Sequence, residues 1–343
     1  GYRPILDAAQ RMFELPRVDF DPAPAVAALR TLRDEATFSY ERGGAHFHAP
    51  RTVDDFAALL DANPGAHILA GSTDVGLWVT KQFRELPVLV SIGEVSDLKR
   101  IDTAADGTLT IGAGASLEAA WQALAARVPA LTDVYLRFAA PPIRNAGTMG
   151  GNVANGSPIG DSAPILLALD ASLVLRKGSR ERTMPLADFY VDYMKNRLEP
   201  GEFVQAIVVP PLPAARQVRA WKISKRFDCD ISALCAGFAI ELDGEIVKAA
   251  RLAYGGMAGI VKRATGAEAA IVGQRWDEAA VQRAQAALAT DFKPLTDMRA
   301  SAEYRAQVAQ NLLERLWLET RPASALPATQ TTVWSTMTHT VGA

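Results

Sequence analysis

The chain has 343 residues, 36 basic and 38 acidic side chains, a net charge of -2 and 49% hydrophobic residues. That length calls for two domains and a connecting arm, and that composition excludes intrinsic disorder. Without a Lys/Arg tract to neutralise phosphates it also argues against a nucleic-acid partner, and two cysteines, Cys229 and Cys235, are too few for a disulfide framework or an iron-sulfur cluster.

In chain order, residues 1 to 42 hold two short helical patterns, Ala8 to Glu14 and Ala25 to Arg33, around a Pro-rich stretch from Pro16 to Pro24, and read as a linker arm. His46 and His48 share one face of a strand, but no second ligand cluster accompanies them, so they read as a polar strand and no metal site is assigned. Thr52 to Asp61 is a helix with Thr52 as N-cap. Strands follow at His67 to Ala70 and Val88 to Ile92, with a helical pattern between them that Ser72 or Thr73 could cap. Arg100 to Thr103 and Thr108 to Ile111 form a hairpin, and helices occupy Leu117 to Arg127 and Pro129 to Phe138. From Pro141 to Asp161 the chain is rich in Gly, Pro and Asn and reads as one long loop.

Beyond Gln217 the pattern changes. Strands at Ala233 to Leu242 and Ile246 to Tyr254 meet at Asp243-Gly244, a two-residue hairpin signal. Helices follow at Arg263 to Val272, Asp277 to Leu288 and Ala302 to Leu318, the last carrying the apolar face Leu312, Leu313, Leu316 and Trp317, read as core. Strands followed by helices indicate a separate α+β domain at 217-320, and 321-343 reads as a tail. No apolar run of about 18 residues and no signal-peptide core is present, so a soluble, cytoplasmic protein without a membrane partner is expected.

Three segments carry chemistry. Ile68-Leu69-Ala70-Gly71-Ser72-Thr73-Asp74 is a strand entering a turn that opens a helix, where backbone N-H groups and the helix N-terminus suit a phosphate and Gly71 would let it approach; a plain helix cap is the competing reading. Arg144 to Asp161 gathers five glycines, three amides and two hydroxyls, a composition for wrapping a polyphosphate, with Asp161 as an acceptor. Gly112-Ala113-Gly114-Ala115 is either a ligand contact or a turn capped by Ser116. None of these follows the G-x-G-x-x-G pattern of a Rossmann site.

Taken in order, the GSTD turn, the GAGAS turn, Pro141-Pro142-Ile143-Arg144-Asn145 with GTMGGNVANGSPIGD, and Lys222-Ile223-Ser224-Lys225-Arg226 with Asp230-Ile231-Ser232 resemble the FAD domain of xanthine dehydrogenases and related molybdenum hydroxylases, over residues 43 to 320. Gly1 to Leu6 resemble the stretch after the last cluster cysteine of the family's 2Fe-2S domain, so that domain is expected upstream. The resemblance implies an α+β fold: a two-lobed FAD-binding domain of the PCMH / vanillyl-alcohol oxidase type at 43-213, then a smaller α+β domain of the CO dehydrogenase flavoprotein type.

It also implies site residues. The FAD diphosphate would lie between a wall formed by His67, Ile68, Leu69, Ala70, Gly71, Ser72, Thr73 and Asp74 and another formed by Gly147, Thr148, Met149, Gly150 and Gly151. Asn152, Asn155, Asp161, Phe138, Val204 and Lys222 match further contacts, and Asp74, Tyr193, Asp228 and Cys229 fall on the nicotinamide side. Cys229 and Asn155 depart from the family's acidic residue and threonine; Cys229 is read as an ordinary loop or core cysteine. Lys222 is left open between stabilising an anionic flavin and being an ordinary surface lysine.

Electrons would leave an organic substrate at a molybdenum cofactor on a large partner subunit, pass through 2Fe-2S clusters, collect on FAD and reach NAD as hydride. No catalytic acid or base is assigned. The family suggests a dimer of heterodimers. Alternatives are a flavoprotein subunit acting in carbon monoxide, nicotinate, quinoline or aldehyde oxidation with a non-NAD acceptor, and a non-catalytic scaffold.

Overall fold

The computed structural model describes residues 1-32, 36-327 and 330-331. Two compact units divide at Thr37/Phe38. The first carries α1 (Arg3–Arg11) and α2 (Ala23–Thr31), each with a proline in its opening turn, and none of their residues is buried. Both helices begin a few residues before the apolar patterns that announced them.

The second unit opens on a hairpin, β1 (Phe38–Arg42) and β2 (Ala45–Ala49), turned by Gly43 and Gly44 at positive φ. The sheet therefore starts inside the stretch read as a linker. Next come α3 (Val53–Ala62), β3 (His67–Leu69), α4 (Val75–Thr80) and β4 (Val88–Ser91). Thr52 caps α3 by accepting from the Asp55 N-H, and Phe56, Ala57 and Leu60 form its buried face. The sheet order is β1-β2-β4-β3, with β2, β4 and β3 parallel, which requires crossovers; α3 and α4 lie within them. This first lobe closes on Phe56, Leu60, Val90, Ile92, Val95 and Leu98 together with Phe203.

The second lobe is a five-stranded antiparallel sheet fed by a run of helices. Its elements are β5 (Ile101–Thr103), β6 (Leu109–Gly112), α5 (Leu117–Arg127), α6 (Thr132–Arg137), α7 (Pro141–Ala146), α8 (Met149–Asn155), α9 (Ser162–Ala168), β7 (Ser172–Lys177), β8 (Arg180–Pro185), β9 (Tyr190–Asp192), β10 (Lys195–Asn196) and β11 (Phe203–Val209). The order is β5-β6-β11-β7-β8, while β9 and β10 pair separately. The long loop read at 141 to 161 is corrected: most of it is the two short helices α7 and α8. Pro141 and Pro142 open α7, and Thr148 caps α8 by accepting from the Gly151 N-H. The helix read at Pro129 to Phe138 begins as a 3-10 turn, Pro129–Leu131, before α6.

The third body holds β12 (Arg216–Ile223), β13 (Leu234–Asp243), β14 (Ile246–Gly255), β15 (Lys262–Arg263), α10 (Thr265–Ile271), α11 (Glu278–Asp291) and α12 (Ala302–Thr320). Its four strands follow chain order. The hairpin turn is Gly244-Glu245, one residue later than Asp243-Gly244, because Asp243 pairs with Ile246.

Period-two alternation gives this sheet two buried faces. Trp221, Leu234, Phe238, Ile240, Leu252 and Tyr254 join a core with α10, α11 and α12, including Leu312, Leu313 and Leu316. Val218, Ala220, Ala239 and Ala253 join the second lobe's core instead. Gly237 lies on that second face, where a Cβ would sit 2.6 Å from the Pro164 carbonyl oxygen of α9, so small residues let the helix approach. Asp170, at φ 56, links the bodies further: its carboxylate accepts from Arg216 at 2.9 Å and Arg251 at 2.6 Å. After α12 the chain folds back, Leu326 N-H donating to the Leu318 carbonyl; of the expected tail, 328-329 and 332-343 lie outside the described residues.

Candidate functional site

A cavity of about 480 Å³ opens between the first two lobes. One wall comes from the end of β3 and the turn into α4. His67 opens β3 with its ring 6.0 Å from Trp78, and its Nδ1 is buried without a partner among the described residues. Ser72 adopts φ 62, and the α4 N-cap is Asp74, which makes no side-chain cap bond, so neither Ser72 nor Thr73 caps the helix. The backbone N-H groups of Gly71, Ser72, Thr73 and Asp74 find no acceptor among the described residues. A run of unpaired donors at a helix start suits an anion.

The facing wall is α8 and the turn before it. Here the first-turn donors are already engaged: Met149 N-H donates to the Ala115 carbonyl, Gly150 N-H to that of Ala113, and Gly151 N-H to Thr148 Oγ1. The Gly112-Ala115 turn thus serves as the acceptor platform for α8, while Ser116 caps α5 through the Ala119 N-H. What remains for a ligand on this side is small-residue surface, the Thr148 O-H and the amides of Asn152 and Asn155.

The glycines have a reason other than ligand approach. A Cβ on Gly71 would lie 1.7 Å from the Ala146 carbonyl oxygen, one on Gly150 would lie 2.4 Å from Ala113 Cβ, and one on Gly147 would lie 2.8 Å from Leu117 Cδ1. Gly71 and Gly150 thus bring three turns into backbone contact, which only glycine permits, whereas at Gly147 the nearest atom is the end of a side chain.

Of the residues singled out in the sequence, His67, Ile68, Ala70, Gly71, Ser72, Thr73, Asp74, Gly147, Thr148, Gly150, Gly151, Asn152, Asn155 and Val204 line the cavity. Leu69 and Met149 do not, and Met149 is wholly buried in the second lobe's core. Phe138 also lies in that core, its ring 5.5 Å from Trp121. Tyr193 is exposed at the β9-β10 turn, while its neighbour Met194 faces the cavity. Asp228 and Cys229 lie outside the lining, on an exposed loop where Cys229 takes φ 53.

Lys222 is not a surface lysine. It is 2% exposed, and its Nζ donates to Asp161 Oδ2 at 2.7 Å and Ser232 Oγ at 2.8 Å, while Ser232 donates to the other Asp161 oxygen at 2.5 Å. Neither Lys222 nor Asp161 lines the cavity. Cys235 lies beside them with its thiol pushed up by burial, then by the Asp161 charge.

Sequence reasoning missed the apolar half of the lining: Phe56, Trp78, Ile92, Leu98, Leu117 and Phe203. Periodicity marks such residues as core without telling that a core face ends at a cavity. Among the described residues the lining holds one carboxylate, Asp74, one imidazole, His67, and no Lys or Arg. Any anion bound there meets no Lys or Arg among the described residues. No group of His, Cys, Asp and Glu suited to a metal occurs among the described residues, and no described helix is long and apolar enough to cross a membrane.

Comparison with known proteins places two family matches on the chain. Residues 38–212 match the FAD binding domain in molybdopterin dehydrogenase, and residues 219–320 match the CO dehydrogenase flavoprotein C-terminal domain. Nicotinate hydroxylase of Emericella nidulans is 32% identical over 78% of this chain, which spans only 22% of that relative's length. The putative xanthine dehydrogenase FAD-binding subunit of Escherichia coli is 30% identical, covering 79% of this chain and 94% of that subunit. Among solved structures, reconstituted CO dehydrogenase from Oligotropha carboxidovorans superposes with a TM-score of 0.74 at 28% identity, over 80% of this chain and 97% of the other.

Proposed function

Since the chain belongs to the molybdenum hydroxylase flavoproteins, whose FAD-binding and C-terminal domains it carries, we propose that it is the electron-transfer part of a xanthine dehydrogenase with NAD as acceptor. Its electrons would come through 2Fe-2S clusters from a molybdenum cofactor on a large partner subunit that oxidises hypoxanthine and xanthine to urate. The observation that carries the reading is the set of backbone N-H groups at Gly71 to Asp74 that find no acceptor among the described residues and line a largely apolar cavity.

The residues present fit an FAD. The Gly71 to Asp74 donors and the Thr73 and Thr148 hydroxyls would hold the diphosphate, and the Asn152 and Asn155 amides would hold polar edges. Phe56, Leu98, Leu117 and Phe203 exclude water from the floor. His67, with its buried Nδ1, offers a hydrogen bond that nothing among the described residues satisfies. Bound FAD supplies the exchange between one-electron and two-electron carriers, which side chains cannot perform. The chain's part is to bind, orient and shield, and no acid or base is assigned to it.

A second reading is supported by the similarity to nicotinate hydroxylase and CO dehydrogenase, which matches that to the xanthine-type subunit. In it the organic substrate differs and the acceptor is not NAD. A non-catalytic scaffold is disfavoured because the cavity and its donors are present. Anaerobic titration of the FAD-loaded chain with NADH, followed by flavin absorbance, separates the readings. Rapid bleaching supports NAD as the partner in hydride exchange. Retained flavin that NADH leaves oxidised points to the second reading, and a chain that takes up no flavin points to the scaffold.

A further inference from the structure

The Pro141-Pro142-Ile143-Arg144-Asn145 segment contains an arginine to which neither the site nor its chemistry assigns a role. Arg144 is 5% exposed, on the six-residue helix α7. Its Nη1 donates to the carbonyls of Phe138 at 2.8 Å and Ala139 at 2.9 Å, and its Nε donates to Glu118 Oε2 of α5 at 2.5 Å. The guanidinium carbon lies 5.2 Å from the centroid of the Tyr135 ring. The other Glu118 oxygen accepts from the Tyr135 hydroxyl and from Gln122 at 3.1 Å. Burial acts to raise the Glu118 carboxyl, but the bonds from Tyr135 and Arg144 outweigh it and leave it below the usual range.

These contacts close a corner. Ala139, between α6 and α7, takes φ 45, a left-handed value that a residue with a Cβ rarely adopts. Two consecutive carbonyls converging on one guanidinium fix that conformation, and a planar fork is what allows the carboxylate and both carbonyls to be met together. At its other end α7 delivers the Ala146 carbonyl into the space that a Gly71 Cβ would fill, and Gly147 then joins the cavity lining. A tilt of α7 therefore moves Ala146 against Gly71 and carries both walls of the cavity with it.

We propose that Arg144 is a positioning residue for the FAD cradle: by clamping the Phe138-Ala139 corner and α5 to α7, it sets the Ala146-Gly71 contact and the placement of the Gly71 to Asp74 donors. The proposal rests on the FAD-binding reading above. It concerns a residue that does not line the cavity.

The test uses the full chain stripped of flavin, FAD titration by flavin fluorescence, visible circular dichroism of the bound flavin, and urea unfolding of the flavin-free protein. Arg144→Lys keeps a charge for Glu118 but cannot reproduce the fork, so it weakens FAD binding about tenfold and changes the flavin dichroism. Arg144→Met does so more strongly. Thr320→Ala, which removes the hydroxyl bonded to Trp276 Nε1 in the C-terminal core, is the control for general destabilisation and keeps wild-type affinity and dichroism. Wild-type affinity and dichroism in Arg144→Lys would overturn the proposal. So would losses of affinity that merely follow the urea midpoint across Arg144→Lys and Thr320→Ala alike. A wild-type chain that does not take up FAD would instead overturn the reading on which the proposal stands.

Discussion

Gly71 shows how much of a binding loop can be decided by what it touches inside the protein. Its missing Cβ is filled at 1.7 Å by the Ala146 carbonyl, so Gly71→Ala must push the two walls apart. We expect overpacking to cost about 1-3 kcal/mol in a urea melt, with weaker FAD uptake measured on the same sample. The turn itself was legible because strand, glycine, hydroxyls and helix follow one another in the chain. The reason for the glycine was not, since Ala146 is remote in sequence and its carbonyl looks like any other. Lys222 is the converse case. Its buried pairing with Asp161 and Ser232 joins residues that are 61 and 10 positions away, and no local pattern distinguishes such a lysine from a solvated one.

Among the elements, those with strong periodicity and a side-chain cap were legible: α3 with Thr52, α5 with Ser116, and α12 along its apolar face. The helices α7 and α8 were not, because Gly and Asn weigh toward coil. Their signals were nevertheless present in Pro141-Pro142 and in Thr148, and tertiary contact with Ala113 and Ala115 supplied what propensity lacked.

The entry to α12 carries a pH prediction. Burial would raise the Asp297 carboxyl, but the N-H groups of Arg299 and Ala300 and the Arg305 guanidinium outweigh it and hold the group at about 2. The unfolded value is about 3.9, so between these the unfolded chain binds more protons. The stabilisation is present above about pH 4 and is lost as pH falls toward 2. Asp297→Asn should flatten that part of the acid limb when urea midpoints are compared at about pH 5 and pH 3.

At the scale of the molecule, two of the three hydrophobic clusters are joined by a sheet whose strands send large side chains to one and small ones to the other. Fold class was legible from the switch in pattern near Gln217, because strands followed by helices leave few architectures. The partition of the C-terminal sheet between two cores was not, because the Ala and Gly face reads as featureless until α9 is laid against it. The cavity between the lobes has a further consequence: with no Lys or Arg among the described residues of its lining, long-range attraction contributes little to holding a diphosphate. FAD affinity measured by fluorescence should therefore change less than about threefold when ionic strength is raised from about 0.05 to 0.5 M, whereas a steep loss would place cationic side chains at the diphosphate.

The two cysteines form a built-in unfolding counter. Cys229 is exposed on its loop, and Cys235 lies wholly buried on β13 with its thiolate disfavoured. A chromogenic thiol reagent should therefore modify Cys229 in the native protein and reach Cys235 only when the C-terminal sheet opens. The second colour phase then clocks the opening of this body without an added label, and comparing its rate with and without flavin shows whether occupancy of the cavity between the lobes is felt at the sheet beside them.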